Sequence, residues 1–410
     1  MIFRFSLYGF LKNQLYFDAF LLIHMHHCGL SYVSIGFLLG FKSLLKNVLE
    51  IPSGLFSDIV GHRKTLIWGW ISYIISFFLI GYGKSVTFFF IGFAFFALGE
   101  AFRTGTHKAI IFSYLTKTGQ QEKRTKIYGY TRSWSQIGSA FASLVAGIVI
   151  IFFDNIQLLF FLAVVPYSLG IINFYFYPGD TIVNTNSNRG FASFFKMLYE
   201  SIKIVLRKKE LVGKITNSMF FDGTFHSLKP WFQILLLYAG LNFEKSYLAE
   251  SSRISGIIIV SGYVILHSAG ALGSRISYKF VYNNSATGKA LNKLWGAVII
   301  LLVSMSIFAY LNFYMLAASH LIIFAFLYNI WRPIFLADFD KSTPENLQAM
   351  VLSIESQGKS IFQSITAPVA GIVSHYAGVK ALPLFFCLII ICYLATRTVV
   401  FSFRSNQIHS

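Results

Sequence analysis

Charge is what this sequence has least of: Asp, Glu, Lys and Arg make up 12% of its 410 residues, about half the share of an ordinary globular domain. So few charges cannot cover a water-facing surface, which excludes a soluble multidomain enzyme. Disorder is excluded by the same composition. Acid is scarcer still, with 16 Asp and Glu against 34 Lys and Arg and a net charge of +18. Cysteine is nearly absent. Cys28, Cys387 and Cys392 offer neither a disulfide framework nor a metal-ligand spacing, and the last two fall inside one apolar stretch. No P-loop, nucleophile elbow or Cys/His cluster occurs, so no cofactor, no metal and no ATP-driven pumping by this chain are expected. Nor is there a soluble basic module that would turn the +18 toward nucleic acid. The first apolar stretch carries Lys12 and Asp18 and lacks an Ala-x-Ala site, so it reads as a retained span rather than a cleaved signal.

What is present is apolar: 55% hydrophobic residues, with 45 Phe and 22 Tyr. A bilayer-spanning helix needs roughly 20 mainly apolar residues. Twelve stretches qualify, near 4–27, 33–56, 65–83, 86–113, 127–152, 157–177, 211–238, 247–272, 291–310, 314–338, 348–375 and 380–402. They are too long, and alternate too little, for barrel strands. Basic residues set the orientation. With the N-terminus cytoplasmic, the inside segments hold Arg63, Lys64, Lys117, Lys123, Arg124, Arg189, Lys203, Arg207, Arg275 and Lys279, and the outside ones only Lys84, Lys245 and Lys380. An even number of spans places both termini inside a plasma (inner) membrane.

The longest connection, 178–210, divides the chain six and six. Phe191, Phe194, Phe195, Leu198, Ile202 and Leu206 recur there at helical spacing, which predicts an amphipathic helix at the cytoplasmic face. The expected layout is a bundle over 1–177, a linker over 178–210, a second bundle over 211–402 and a tail over 403–410. Repeats support a duplication. Gly29-Leu30-Ser31 recurs as Gly240-Leu241-Asn242, 211 residues on, and Val145-Ala146-Gly147-Ile148-Val149 recurs identically from Val369, 224 residues on.

Between the second and third stretches stands Gly54-Leu55-Phe56-Ser57-Asp58-Ile59-Val60-Gly61-His62-Arg63-Lys64-Thr65-Leu66. It resembles the G-x-L-A-D-R-x-G-R-K-x-x-L signature of the major facilitator superfamily. Gly54, Asp58, Gly61, Arg63 and Leu66 match, whereas Phe56, Ser57, Ile59 and His62 depart from it. A decayed copy follows 216 residues on, from Gly270 to Arg275, with Ser274 in place of the acid. The resemblance implies an all-α membrane protein of twelve transmembrane helices in two pseudo-symmetric six-helix bundles. It also implies that Gly54, Asp58, Gly61, Arg63, Gly270 and Arg275 belong to a cytoplasmic gate that closes in the outward-open state. Arg103 resembles the family's fourth-span arginine, although its R-x-G spacing is shorter than R-x-x-x-G.

Charges inside a bilayer cost roughly 2.5–3.5 kcal/mol each on insertion scales, so they face a cavity or pair. Local pairs are available by helical spacing for Lys46 with Glu50, Glu100 with Arg103, and Glu355 with Lys359. Spans 1, 4, 7 and 10 line the cavity in the family fold. The offset of 211 maps Asp18 onto Lys229, so these two are expected to face one another, with Arg103 and Arg332 adding positive charge. Basic residues outnumber acidic ones in the spans, which favours an anionic or zwitterionic substrate. Asp18, Glu50, Asp222 and Glu355 are candidate proton carriers, with His226 one turn from Asp222. The expected function is a monomeric, proton-coupled secondary transporter of a small solute, embedded in a lipid bilayer, and not an enzyme. A multidrug-type efflux permease is the alternative within the fold. A polytopic membrane enzyme or a transporter-like sensor is the alternative outside it.

Overall fold

A computed structural model describes residues 1–104, 106–119, 124–177, 203, 208–247, 253–282, 287–342 and 348–408. Fifteen α-helices and no strand occur among them. The first stretch is broken: α1 (Ile2–Leu11) and α2 (Leu21–His27) flank a 3-10 turn at Asp18–Phe20. Then come α3 (Tyr32–Val60), α4 (His62–Tyr82), α5 (Val86–Arg103), α6 (Thr106–Lys117), α7 (Arg124–Phe153) and α8 (Ile156–Tyr175). The seventh stretch breaks like the first, as α9 (Lys209–Leu228), a 3-10 turn at Lys229–Trp231 and α10 (Phe232–Tyr247). The rest are α11 (Arg253–Tyr282), α12 (Thr287–Tyr310), α13 (Tyr314–Ser342), α14 (Gln348–Tyr376) and α15 (Leu382–Ile408). The expected linker falls almost wholly outside the described residues, and so does any amphipathic helix in it. The expected tail is helical as far as Ile408.

Local chemistry sets several ends. The Ser31 hydroxyl accepts from Ser34 N–H to start α3, and Asn155 accepts from Gln157 and Leu158 N–H to start α8. Gly61, at φ 98°, turns the chain between α3 and α4 in one residue, a conformation open to glycine. The break after α1 is held by amides: Asn13 Nδ2 donates to Gly9 O and Ser135 O, and Gln14 Nε2 to Phe10 O and Gly138 O. Pro230 opens the matching turn in the second half, where its missing N–H costs nothing.

Packing repeats with the same period as the sequence. In the first half α1 lies on α7, α3 on α5, and α4 on α5 and α8. Six rods on, α9 lies on α14, α11 on α13, and α12 on α13 and α15. Two seams join the halves, α3 against α14 and α7 against α11. Both are tight near the end of the bundle that carries Gly29. A Cβ on Gly371 would lie 2.5 Å from Tyr32 O, and one on Gly36 would lie 2.6 Å from Ala367 O. Across the second seam Gly147 meets Val260, and Gly256 meets Ile150. Small residues at such crossings let backbones approach where no water drives association.

Aromatic stacking fills the interior of each half. Phe17 stacks on Phe160 at 4.3 Å and Trp70 leans on Tyr167 at 4.6 Å, while Phe221 stacks on Trp331 at 4.4 Å. Outside, large apolar side chains such as Ile148, Leu169 and Ile300 stand exposed, as a lipid-facing surface requires. Eight rods contain a stretch long and apolar enough to cross a bilayer. The other four of the twelve expected are the first, fifth, seventh and eleventh. They form two symmetry-related pairs, and the first and seventh are the broken ones.

Candidate functional site

Polar groups reach the centre from the first, fifth, seventh and eleventh rods, and also from the second, fourth and tenth. Between the halves lie two neighbouring cavities, of about 510 Å³ toward the Gly61 end and about 390 Å³ at mid-height. His226 and Lys229 line both.

The second half contributes a saturated cluster. Ser218, Asp222 and His226 stand one turn apart on α9, Tyr328 and Arg332 on α13, and Glu355 and Lys359 on α14. Arg332 grips Glu355 with both terminal nitrogens, Nη1 at 2.6 Å from Oε1 and Nη2 at 3.2 Å from Oε2. Lys359 Nζ lies 3.3 Å from Glu355 Oε2 and 3.4 Å from Asp222 Oδ2, and Arg332 Nη1 lies 3.6 Å from Asp222 Oδ2. Asp222 further accepts from the Tyr328 hydroxyl at 3.1 Å and from His226 Nδ1 at 2.8 Å. The Ser218 hydroxyl donates to Glu355. Two acids and two bases cancel here, and Glu355 is only 1% exposed. The bidentate grip and the extra hydroxyl donors are what let such a group persist away from water.

The first half is looser. Glu100 stands 4.0 Å from Lys46 and 3.6 Å from Arg103. Arg103 Nε donates to the Tyr73 hydroxyl at 3.2 Å, while the Lys42 ammonium lies over the Phe96 ring at 5.2 Å. Glu50, expected to pair with Lys46, instead has a buried Oε2 with no hydrogen-bond partner among the described residues, because Lys46 turns to Glu100. Around the centre this half sets Lys12, Lys42, Lys46 and Arg103 against Glu50 and Glu100.

Between the halves the two 3-10 turns face each other. Lys229 Nζ lies 3.8 Å from Asp18 Oδ2. Gln233 Oε1 accepts from Leu22 N–H at 2.8 Å and Ile23 N–H at 3.4 Å, capping donors that the break in the first rod frees. Nearer the Gly29 end the Tyr32 and Tyr238 hydroxyls approach to 3.4 Å.

The structure thus brings Asp222, His226, Arg332 and Glu355 into one cluster and Asp18 to Lys229. It leaves Arg103 with Glu100 and sets Glu50 apart. Of the gate motif, Arg63 lies 5.5 Å from the Tyr175 ring, and Gly54 has nothing within 4 Å of an added Cβ. Gly270 abuts Asn329 of its own half, and Arg275 is exposed. The side chains of Asp58, Arg132, Arg253 and Asp338 lie outside the described residues. Sequence reasoning missed Ser218 and Tyr328, each one turn before a recognised charge on the same helix, and Gln233 one turn beyond Lys229.

The sequence profile of the Major Facilitator Superfamily matches residues 6–356. No curated protein matches the chain at a significant level. Among solved structures it is similar to the nucleoside transporter NupG, at TM-score 0.76 and 13% identity, over 98% of this chain and 98% of that one. It is also similar to a D-xylose–proton symporter, at TM-score 0.65 and 14% identity, over 95% and 97%. A POT family transporter crystallised with 5-aminolevulinic acid gives 0.70 and 12%, over 97% and 95%. At such identities the likeness is one of fold.

Proposed function

The chain belongs to the Major Facilitator Superfamily, and on that footing we propose that it is a secondary transporter which carries a small solute across the plasma membrane by alternating access. Residues 1–177 and 211–402 are then the two moving units, joined by the 178–210 linker, with both termini cytoplasmic and the protein working as a monomer. The observation that carries this reading is the polar space between two halves whose seams are tight toward the Gly29 end. A cavity lined by both halves and sealed on one side is what a rocking mechanism needs. In this reading Gly54, Asp58, Gly61 and Arg63 serve as the cytoplasmic gate of the opposite, outward-open conformation.

Proton coupling is assigned to Asp18, Glu50, Asp222 and Glu355, of which Asp18 and Asp222 line the mid-height cavity. Asp222 and Glu355 are held by Arg332 and Lys359 and exchange those partners when the helices shift. Substrates are anionic or zwitterionic, since cations line the path in excess. The nucleoside and xylose named for two neighbours are uncharged and would leave those cations unanswered. The test is uptake by proteoliposomes with and without an inward proton gradient, after a thermal-shift screen of small anions, amino acids and neutral solutes. Gradient-driven accumulation of a screened anion supports the reading. Indifference to the gradient refutes the coupling, and accumulation of cations alone refutes the charge preference.

A further inference from the structure

The seam between α3 and α14 is tight along one stretch and borders the mid-height cavity along the next. Tyr32 meets Gly371, Gly36 meets Ala367 and Gly371, and Gly40 meets Ser364 and Pro368, so the two helices run antiparallel. Beyond Gly40 they line the cavity, with Ser43 and Lys46 from α3 and Gln363, Ser360 and Ser356 from α14. At the same register Asn47 falls on the rung of Lys359, and Glu50 on the rung of Ser356, toward the Gly61 end.

Asn47 and Glu50 are nearly one turn apart on α3, and each keeps a buried acceptor without a hydrogen-bond partner among the described residues, Oδ1 in one and Oε2 in the other. A buried acceptor left unanswered costs about 1–3 kcal/mol, so two together mark a contact that this conformation does not make. The charged groups near the Glu50 carboxyl are Lys46 on its own helix, Glu100 on α5 and Lys359 on α14. Lys46 is turned to Glu100 at 4.0 Å. Lys359 is the donor across the seam. Its ammonium carries three hydrogens and lies 3.4 Å from Asp222 Oδ2 and 3.3 Å from Glu355 Oε2, without an ion pair to Glu50.

We propose that Lys359 is a two-station switch. Asp222 and Glu355 hold it in the present conformation. When α3 and α14 close at the Gly61 end it passes to Glu50 and Asn47, and the new contact locks that side shut. The inference rests on the alternating-access reading and names a contact that holds its other conformation. A carboxylate waits at each station, so the exchange does not strand the ammonium as a bare buried charge. Asn47 adds a neutral acceptor at the second station.

Double electron–electron resonance on the full-length protein reads the switch. Nitroxides are attached at Ile59→Cys and Lys208→Cys in a Cys28→Ser, Cys387→Ser, Cys392→Ser background. Both sites are exposed, and they stand on opposite halves, one near the end of α3 and the other at the start of α9. Asp222→Asn loosens the first station and should raise the population at the shorter separation about tenfold relative to the longer. Glu50→Gln should lower it about tenfold, alone and combined with Asp222→Asn. Asn47→Leu should lower it less, and Glu50→Asp should keep most of it. A shorter population that folded Glu50→Gln leaves unchanged overturns the switch alone. Should Glu50→Gln fail to fold, Asn47→Leu decides, and no loss there overturns the switch. A single separation in every variant overturns the alternating-access reading and the switch with it.

Discussion

The two halves share a packing plan but not an electrostatic one. In the second half Arg332 and Lys359 are matched by Asp222 and Glu355, with Ser218, Tyr328 and His226 adding hydrogen bonds. In the first half Glu100 stands 4.0 Å from Lys46 and 3.6 Å from Arg103, and Glu50 keeps a buried oxygen without a hydrogen-bond partner among the described residues. The difference teaches that duplication fixed where helices pack, while side chains on equivalent surfaces diverged into different tasks. A closed cluster suits conformational coupling, because breaking it is costly. A looser, cation-rich wall suits an anionic ligand.

The largest expected effect comes from breaking the closed cluster. Glu355→Gln leaves Arg332 and Lys359 to share Asp222, and removing one partner of a buried pair costs about 3–5 kcal/mol. Thermal unfolding in detergent should show that loss, together with abolished transport. A cost as small as that of a surface pair would erase the contrast between halves. Next is the seam. Gly371→Ala sets a Cβ against the Tyr32 carbonyl, and such overpacking costs about 1–3 kcal/mol. It should also part the halves at the Gly29 end, so a cysteine placed at Ser31 in a Cys28→Ser background should label faster than in the parent.

Glu100→Gln sharpens the comparison from the other side. It removes a carboxylate beside Lys46 and Arg103, so binding of an anion found in the thermal-shift screen should tighten by about fivefold, or roughly 1 kcal/mol, as calorimetry would show. Unchanged affinity would mean that this carboxylate does not act on the ligand. The smallest expected effect is at the gate motif. Nothing lies within 4 Å of an added Cβ on Gly54, so Gly54→Ala should shift stability by no more than about 1 kcal/mol, and toward stabilisation by helix propensity. Transport should nonetheless slow, if α3 must approach a neighbour there in the other conformation.

Much of the fold was legible because a bilayer imposes it. The twelve apolar stretches fall on helical segments, the first, fourth and seventh each on two, and the offsets of the repeats match the six-rod period of the packing. The breaks in the first and seventh rods were not legible. They depend on Asn13 and Gln14 reaching carbonyls on α7, a contact more than a hundred residues distant in sequence. The offset that mapped Asp18 onto Lys229 pointed to a pair the structure holds at 3.8 Å. Helical spacing found Glu100 with Arg103 and Glu355 with Lys359, yet it misdirected Lys46, because a residue on a neighbouring helix outcompeted the local one. Periodicity sees along a helix and not across to the next.

Currents from proteoliposomes on a solid-supported membrane test the division of labour most directly, because they report charge moved by the protein itself. We expect a transient on addition of an anion found in the thermal-shift screen, lost in Arg103→Gln and reduced but present in Asp18→Asn. A transient of equal size in Arg103→Gln, or one evoked equally by an uncharged solute, would contradict the assignment of the first half to the ligand.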